Sequence, residues 1–279
     1  MSQAPTTEIK RQRVWEIDAM RGFLILAVLI NHLNMTVNAF CINGAYNIDS
    51  TVWASISDPL GVWYTYTADG VLQSAEWVKI LREVCTYPAV SAFFVISGIS
   101  CLFSRNNLRR GLVTLAAAYI ISIFTKLLAV WTGDPNQFIR FGVLHCYGYC
   151  QIIYYFLFEK RKNKLILPVA ILALLVGYYL RYNPISVDTS LLLPFGFYEN
   201  DVPASDYWPI FPMLGWLLCG VLIGRKFYLE KKSLFPTCLL NKWTRPLQFL
   251  GRHSGKIYMA HIFIYSIVFL GIGWLFGLM

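Results

Sequence analysis

Apolar residues in this chain gather into long blocks separated by short polar or charged connections. The blocks run Gly22–Cys41, Val84–Phe103, Gly111–Trp131, Ile139–Phe158, Leu165–Leu180, Ile210–Phe227 and Ile257–Phe276. A helix needs ~20 mostly apolar residues to cross ~30 Å of hydrocarbon. The pattern therefore predicts an all-α, polytopic integral membrane protein with about seven transmembrane helices in a single domain, residues 1–279. The fifth block is the shortest, and Asn163 and Tyr182 extend it. The first block is too long for the core of a signal peptide, and no small-residue cleavage pattern closes it, so it reads as the first span. No internal repeat and no low-complexity tract is visible.

Composition agrees. Hydrophobic residues make up 57% of the chain and charged residues only 14%, against about 25% charged in an average soluble domain. This excludes disorder, collagen-like repeats and a small disulfide scaffold, and it argues against a soluble enzyme. The net charge of +9 would point to nucleic acid in a soluble protein. In a membrane protein it points to loop asymmetry, because basic residues stay on the cytoplasmic side. Of the 24 Lys and Arg, 19 fall before the first block or in the second-to-third, fourth-to-fifth and sixth-to-seventh connections. The alternate connections hold Asp49, Asp58, Asp69, Glu76, Asp134, Asp188, Glu199, Asp201 and Asp206. Seven spans put every basic segment on one side, which predicts a cytoplasmic N-terminus and an outer C-terminus.

Two outer segments, Ile42–Glu83 and Arg181–Trp208, are rich in Trp, Tyr, Asp, Gly and Pro. They suit a carbohydrate or headgroup surface and equally an interfacial aromatic belt. The inner segment Tyr228–Lys256 is expected to hold short interfacial helices. Cys146 and Cys150 lie i,i+4 inside an apolar block and read as small buried thiols, with no ligand spacing for a metal.

Polar groups inside the hydrocarbon are costly and mark functional candidates. The inner half of the first block, Phe23–Ile30, is wholly apolar, whereas its outer half carries Asn31, His32, Asn34, Thr36 and Asn38. Asn31, Asn34 and Asn38 share a helix face with His32 and Thr36 beside it, so this stripe faces a wet cavity or other helices. His32 lies ~16 Å along the axis from Arg21, near mid-membrane. His145, in the fourth block, reaches a similar depth from the outside. His261 is expected in the first turns of the last span, nearer the cytoplasm, and His253 at the inner surface. Such a histidine is a general base, a nucleophile or a proton relay, or a helix-to-helix hydrogen-bonding group. Lys126 is placed to snorkel to the interface. Gly98, Gly142, Gly148, Gly215, Gly220 and Gly224 suggest close helix packing.

Several fragments resemble one family. Ile17-Asp18-Ala19-Met20-Arg21-Gly22 opens the first span, and Phe93-Phe94-Val95-Ile96-Ser97-Gly98-Ile99-Ser100 closes the second. Arg140-Phe141-Gly142-Val143-Leu144-His145 opens the fourth. Asp206-Tyr207-Trp208-Pro209, with Pro212, Gly215, Gly220, Gly224 and Arg225, marks the sixth. Phe249-Leu250-Gly251-Arg252-His253-Ser254, with Tyr258 and His261, marks the seventh. Together they resemble the bacterial heparan-alpha-glucosaminide N-acetyltransferase catalytic-domain family, within the wider transmembrane acyltransferase superfamily. The spacing from Arg21 to His32 also resembles the signature of membrane O-acyltransferases that modify surface sugars. Where that family ends its last motif with His-Gln-Pro, this chain has His261-Ile262-Phe263. Where the animal lysosomal enzyme carries its catalytic histidine, about three turns beyond the place of His32, this chain has Asn43.

The resemblance implies an acyltransferase of a bacterial cytoplasmic membrane. It would move an acetyl or other acyl group from cytoplasmic acyl-CoA, chiefly acetyl-CoA, to an extracytoplasmic glycan or lipid-linked sugar, without a metal. On that reading Arg21, Arg105, Arg109, Arg110 and Arg252 hold the donor phosphates. His32 is the base or acyl carrier, and His145 or Asn31 polarises the thioester or orients the base. Asp206, Asn34 and Arg140 face the acceptor. The expected partners are the lipid bilayer, the acyl-CoA, the glycan and a second copy of the chain, not nucleic acid. A proton-coupled small-solute transporter built on the same histidines is the alternative, and a structural membrane subunit a third class.

Overall fold

The computed structural model describes residues 14–41, 65–66, 72–73, 76–133, 135–159, 164–199, 206–236, 242 and 244–278. Among them are seven α-helices: α1 Trp15–Cys41, α2 Glu76–Cys101, α3 Asn107–Thr132, α4 Val143–Tyr154, α5 Ile166–Tyr182, α6 Ile210–Phe227 and α7 Thr244–Leu275. Each apolar block lies on one of them. The start of α3 is fixed by Asn106, whose side chain accepts from the Arg109 backbone N–H, and its end by Gly133 at φ 72. α4 runs on into a π-helical turn, Tyr155–Glu159. Two-residue strands pair antiparallel at Thr65–Tyr66 with Leu72–Gln73 and parallel at Ser186–Val187 with Tyr198–Glu199.

By length and composition Asn107–Trp131, Ile210–Phe227 and Thr244–Leu275 are each able to cross a membrane, and Thr86–Cys101 and Ile166–Tyr182 are shorter apolar helices. Their outer faces are apolar too. Ile123, Leu127, Leu175, Ile267 and Trp274 each leave well over half of their surface uncovered. A belt of that kind on long apolar helices suits a lipid environment.

The contacts between helices fix their directions. α1 and α7 run parallel, with Asp18 against Gly251, His32 against His261 and Phe40 stacked on Phe269. α2 and α6 are parallel, with Val95 against Gly220 and Ile99 against Gly224. α4 and α6 are also parallel, with Cys146 at Pro209 and Phe158 at Arg225. α3 opposes α4, since Gly111 meets Ile152 while Ser122 meets Ile139. α5 opposes α6, since Gly177 meets Pro212 while Ala170 meets Gly215. Arg21 near the start of α1 reaches Ser100 at the end of α2. The helices therefore alternate in direction along the chain. Arg21, Arg105, Arg109, Arg110, Arg225 and Arg252 all lie at one end of the bundle, the basic end. Asp206, Trp208 and Arg181 lie at the opposite end.

Lipid tails are as apolar as leucine, so helix association rests on close packing rather than on hydrophobic burial. Glycine provides that closeness. A Cβ on Gly251 would overlap the Asp18 carbonyl oxygen, and one on Gly22 the Leu247 carbonyl oxygen, whereas a Cβ on Gly255 meets nothing within 4 Å. The same substitution should therefore act with opposite signs on one helix. Gly255→Ala is expected to stabilise the protein by up to about 1 kcal/mol through helix propensity. Gly251→Ala forces α1 and α7 apart and is expected to cost about 1–3 kcal/mol. Melting temperatures of the two variants in detergent check this.

One boundary departs from the sequence pattern with consequences for the site. α7 begins at Thr244 rather than Ile257, so the last part of the inner segment Tyr228–Lys256 belongs to the same long helix as the seventh block. Arg245, Arg252 and Lys256 break the apolar block, but all three are exposed, while Gln248, Gly251 and Tyr258 are buried. A helix packed on a neighbour needs only one apolar face.

Candidate active site

The site is built along the contact between α1 and α7. Arg21 and His32 stand on one continuous helix. Eleven residues at about 100° each bring them to nearly the same face, three turns and ~16 Å apart. Between them on that face lie Ile25, which is buried, and Val28, packed against the same core.

At the basic end, Arg21 donates from Nη2 to Ser100 Oγ, and its Nη1 lies 3.6 Å from Asp18 Oδ1. Asp18 is shared: Arg252 Nε lies 3.4 Å from its other oxygen, and Arg252 Nη2 donates to Gln248 Oε1 at 3.1 Å. Arg110 donates to the Tyr147 hydroxyl and its guanidinium lies 5.5 Å from that ring centroid. It is within electrostatic reach of Arg21. Asp18 thus contacts two guanidinium groups, Arg21 and Arg252, and Arg110 adds a third positive charge nearby, so these four residues carry a net charge of +2. Arg105 and Arg109 are exposed and stand outside this cluster.

In the middle of the bundle, His32 Nδ1 and His261 Nε2 are 2.6 Å apart, with ring centroids at 4.8 Å. Tyr258 lies edge-on to both rings, 5.8 Å from His32 and 5.1 Å from His261, and Tyr265 flanks His261 at 5.5 Å. The early start of α7 is what makes this contact. His261 lies in the interior of that helix, level with His32, rather than near its basic end. Thr36 donates to the His32 carbonyl oxygen at 2.9 Å.

His145 has a different setting. It stands in the first turn of α4, where its Nδ1 accepts from the Gly142 backbone N–H at 3.2 Å. Its Nε2 lies 3.3 Å from Ser122 Oγ, which itself donates to Ile139 O at 2.7 Å. Nδ1 is therefore engaged at the start of its own helix, and Nε2 ties α4 to α3. No hydrogen bond or ring contact joins His145 to His32. His253 is turned onto its own helix, its Nδ1 2.9 Å from the Phe249 carbonyl oxygen.

At the far end, Asp206 accepts from the Val143 backbone N–H at 3.3 Å and from Trp208 Nε1 at 2.9 Å. Burial raises its pKa to about 6, against the pull of those two donors. A raised carboxyl pKa means that stability is greatest below the unfolded value of 3.8 and is lost as pH rises through about 6. Melting temperature in detergent is expected to fall across that window, by the equivalent of about 2–3 kcal/mol. Asp206→Asn, which keeps the acceptor oxygen, should flatten the profile.

Of the other sequence candidates, Asn31 is half-buried on α1 beside His32. Arg140 and Lys126 both lie over the Phe138 ring, at 5.4 and 5.9 Å. The side chains of Asn34 and Asn38, and residue Asn43, lie outside the described residues. Tyr258 as a wall of the site and His261 as the partner of His32 were not identified from sequence. The spacing Tyr258, His261, Tyr265 on one helix face was the available signal.

No curated protein and no solved structure matches the chain. The family model for heparan-alpha-glucosaminide N-acetyltransferase, catalytic, matches residues 13–263, which takes in the arginine cluster, the histidine pair and Asp206. The apolar helices are those of a membrane protein, and the chain belongs to the heparan-alpha-glucosaminide N-acetyltransferase catalytic family of membrane acetyltransferases.

Proposed function

We propose that the protein moves an acetyl group, or a related acyl group, from cytoplasmic acyl-CoA to an extracytoplasmic glycan or lipid-linked sugar. The observation that carries this reading is the line formed by the Arg21–Arg110–Arg252 cluster, the His32–His261 pair and Asp206, in that order across the bundle. The cluster offers guanidinium forks to the donor phosphates. Arg21 and His32 share a helix face, so a pantetheine arm running from that cluster along α1 brings its thioester to His32. The acceptor enters from the Asp206 end.

The chemistry balances without a metal. His32 takes the proton of the acceptor hydroxyl or amine as that atom attacks the thioester carbonyl. The carbon–sulfur bond breaks, and His32 returns the proton to the leaving thiolate. Asn31, beside it, is placed to polarise the carbonyl.

This reading requires that the seven helices be seven spans, with the basic end cytoplasmic. The alternation of helix directions and the collection of arginines at one end support that arrangement, and a bacterial cytoplasmic membrane is the expected location. A reporter fused after Met279 should behave as extracytoplasmic. Cytoplasmic behaviour would reverse the orientation and with it the direction of transfer.

A further inference from the structure

We infer that His261 is a positioning residue that sets the tautomer of His32 and makes Nε2 of His32 the atom that takes the acceptor proton. This deepens the proposed acyl-transfer reading and rests on it for the proton's origin. The assignment of the nitrogens rests on the geometry alone.

Nδ1 of His261 lies 2.5 Å from the Tyr258 carbonyl oxygen, with the Ile257 carbonyl beside it. A carbonyl oxygen only accepts, so Nδ1 of His261 carries hydrogen. In a neutral imidazole the other nitrogen is then a bare lone pair. That nitrogen, Nε2 of His261, faces Nδ1 of His32 at 2.6 Å. Two lone pairs at that distance would repel, so Nδ1 of His32 carries hydrogen and donates it. Neutral His32 is left with its lone pair on Nε2, which has no hydrogen-bond partner among the described residues.

The chain runs from the Tyr258 carbonyl through His261 to His32 and ends on a basic nitrogen without a hydrogen-bond partner among the described residues. A free histidine has no such fixed tautomer. Here the α7 backbone sets it, because the carbonyl that orients His261 belongs to the helix on which His261 stands. His145 cannot take this role, since its Nδ1 accepts from Gly142 and its Nε2 is turned to Ser122.

The same contact serves the charged state. When Nε2 of His32 takes the acceptor proton, the ring becomes an imidazolium whose Nδ1–H still points at Nε2 of His261. The positive charge is then spread over two rings by a short charge-assisted hydrogen bond, and no proton leaves the pair. When the thiolate departs, Nε2 of His32 gives that proton back and the original tautomers return.

The test uses the full chain in lipid nanodiscs, labelled with ¹⁵N-histidine. The protein has four histidines, and the His32 signals are identified by their loss in His32→Gln. The expected spectrum has His32 protonated at Nδ1 and bare at Nε2. In His261→Leu that preference is expected to vanish. Turnover, read as acetyl-CoA hydrolysis, should fall at least 10-fold with CoA binding unchanged. His261→Gln keeps an acceptor oxygen for the Nδ1–H of His32 and should recover most of the loss, which a merely space-filling residue would not do. A wild-type His32 protonated at Nε2 overturns the inference, as does His261→Leu with wild-type turnover. The spectrum needs no substrate, so a protein that never uses acetyl-CoA would overturn the acyl-transfer reading while the tautomer assignment is still decided.

Discussion

Replacing His32 with Gln is expected to lower acyl transfer by ~10²–10⁴, the usual worth of a general base, while leaving CoA binding and the fold in place. Gln retains hydrogen-bonding capacity toward His261 and fits a similar volume, so the helix contact survives. What it cannot do is take a proton. The loss should therefore appear in kcat rather than in the donor KM, because the interaction lost is made only as the acceptor is deprotonated. His32→Ala removes the same group, opens space against Tyr258, and should be at least as damaging. Near-normal turnover of a folded His32→Gln protein would make His32 structural.

Arg21→Ala is expected to act on the other side of the reaction. The donor KM should rise by about 10- to 100-fold, in the range of a lost charge-assisted contact to phosphate, with the acceptor KM little changed. Arg21 is held by Ser100 and Asp18, so its guanidinium is fixed before the donor arrives. Arg109 is exposed and offers no such fixed geometry, so Arg109→Ala should have a clearly smaller effect. Isothermal titration with CoA separates the two. Unchanged CoA affinity in Arg21→Ala would remove the cluster from the donor site. Because Asp18 also contacts Arg252, Arg21→Ala does not leave that carboxylate without a partner, and folding should hold.

The positions of the helices were readable because an apolar block of this length has few other uses, and each of the seven blocks lies on a helix. The start of α7 was not readable. Between Thr244 and Lys256 the contacts with α1 are made by Leu247, Gly251 and Arg252, and a hydropathy average cannot see a face built on glycine and an ion-paired arginine. That single boundary moved His261 from the edge of the bundle to its interior. His32 itself was legible, because a polar stripe in a hydrophobic helix is costly and demands a reason. Its partner was not. The two rings are 229 positions apart, and their register depends on how closely Gly22 and Gly251 let two backbones approach. His145 shares with His32 its residue type and expected depth but not the polar stripe. The geometry separates it further, by spending both its nitrogens on the start of α4 and on Ser122. Asp206 was read as an acceptor-side carboxylate. Its two donors, the Val143 backbone at the start of α4 and Trp208 in the turn ahead of α6, meet through a loop that no periodicity describes.

Acyl transfer by this route needs an acyl-CoA thioester to reach His32 from the arginine end. Purified full-length protein in nanodiscs, incubated with acetyl-CoA labelled in the acetyl group, tests it most directly. Saturable binding and slow release of labelled acetate are expected, with the release abolished in His32→Gln and the binding not weakened. Absence of both binding and hydrolysis, together with proton-coupled solute flux in liposomes, would contradict that route.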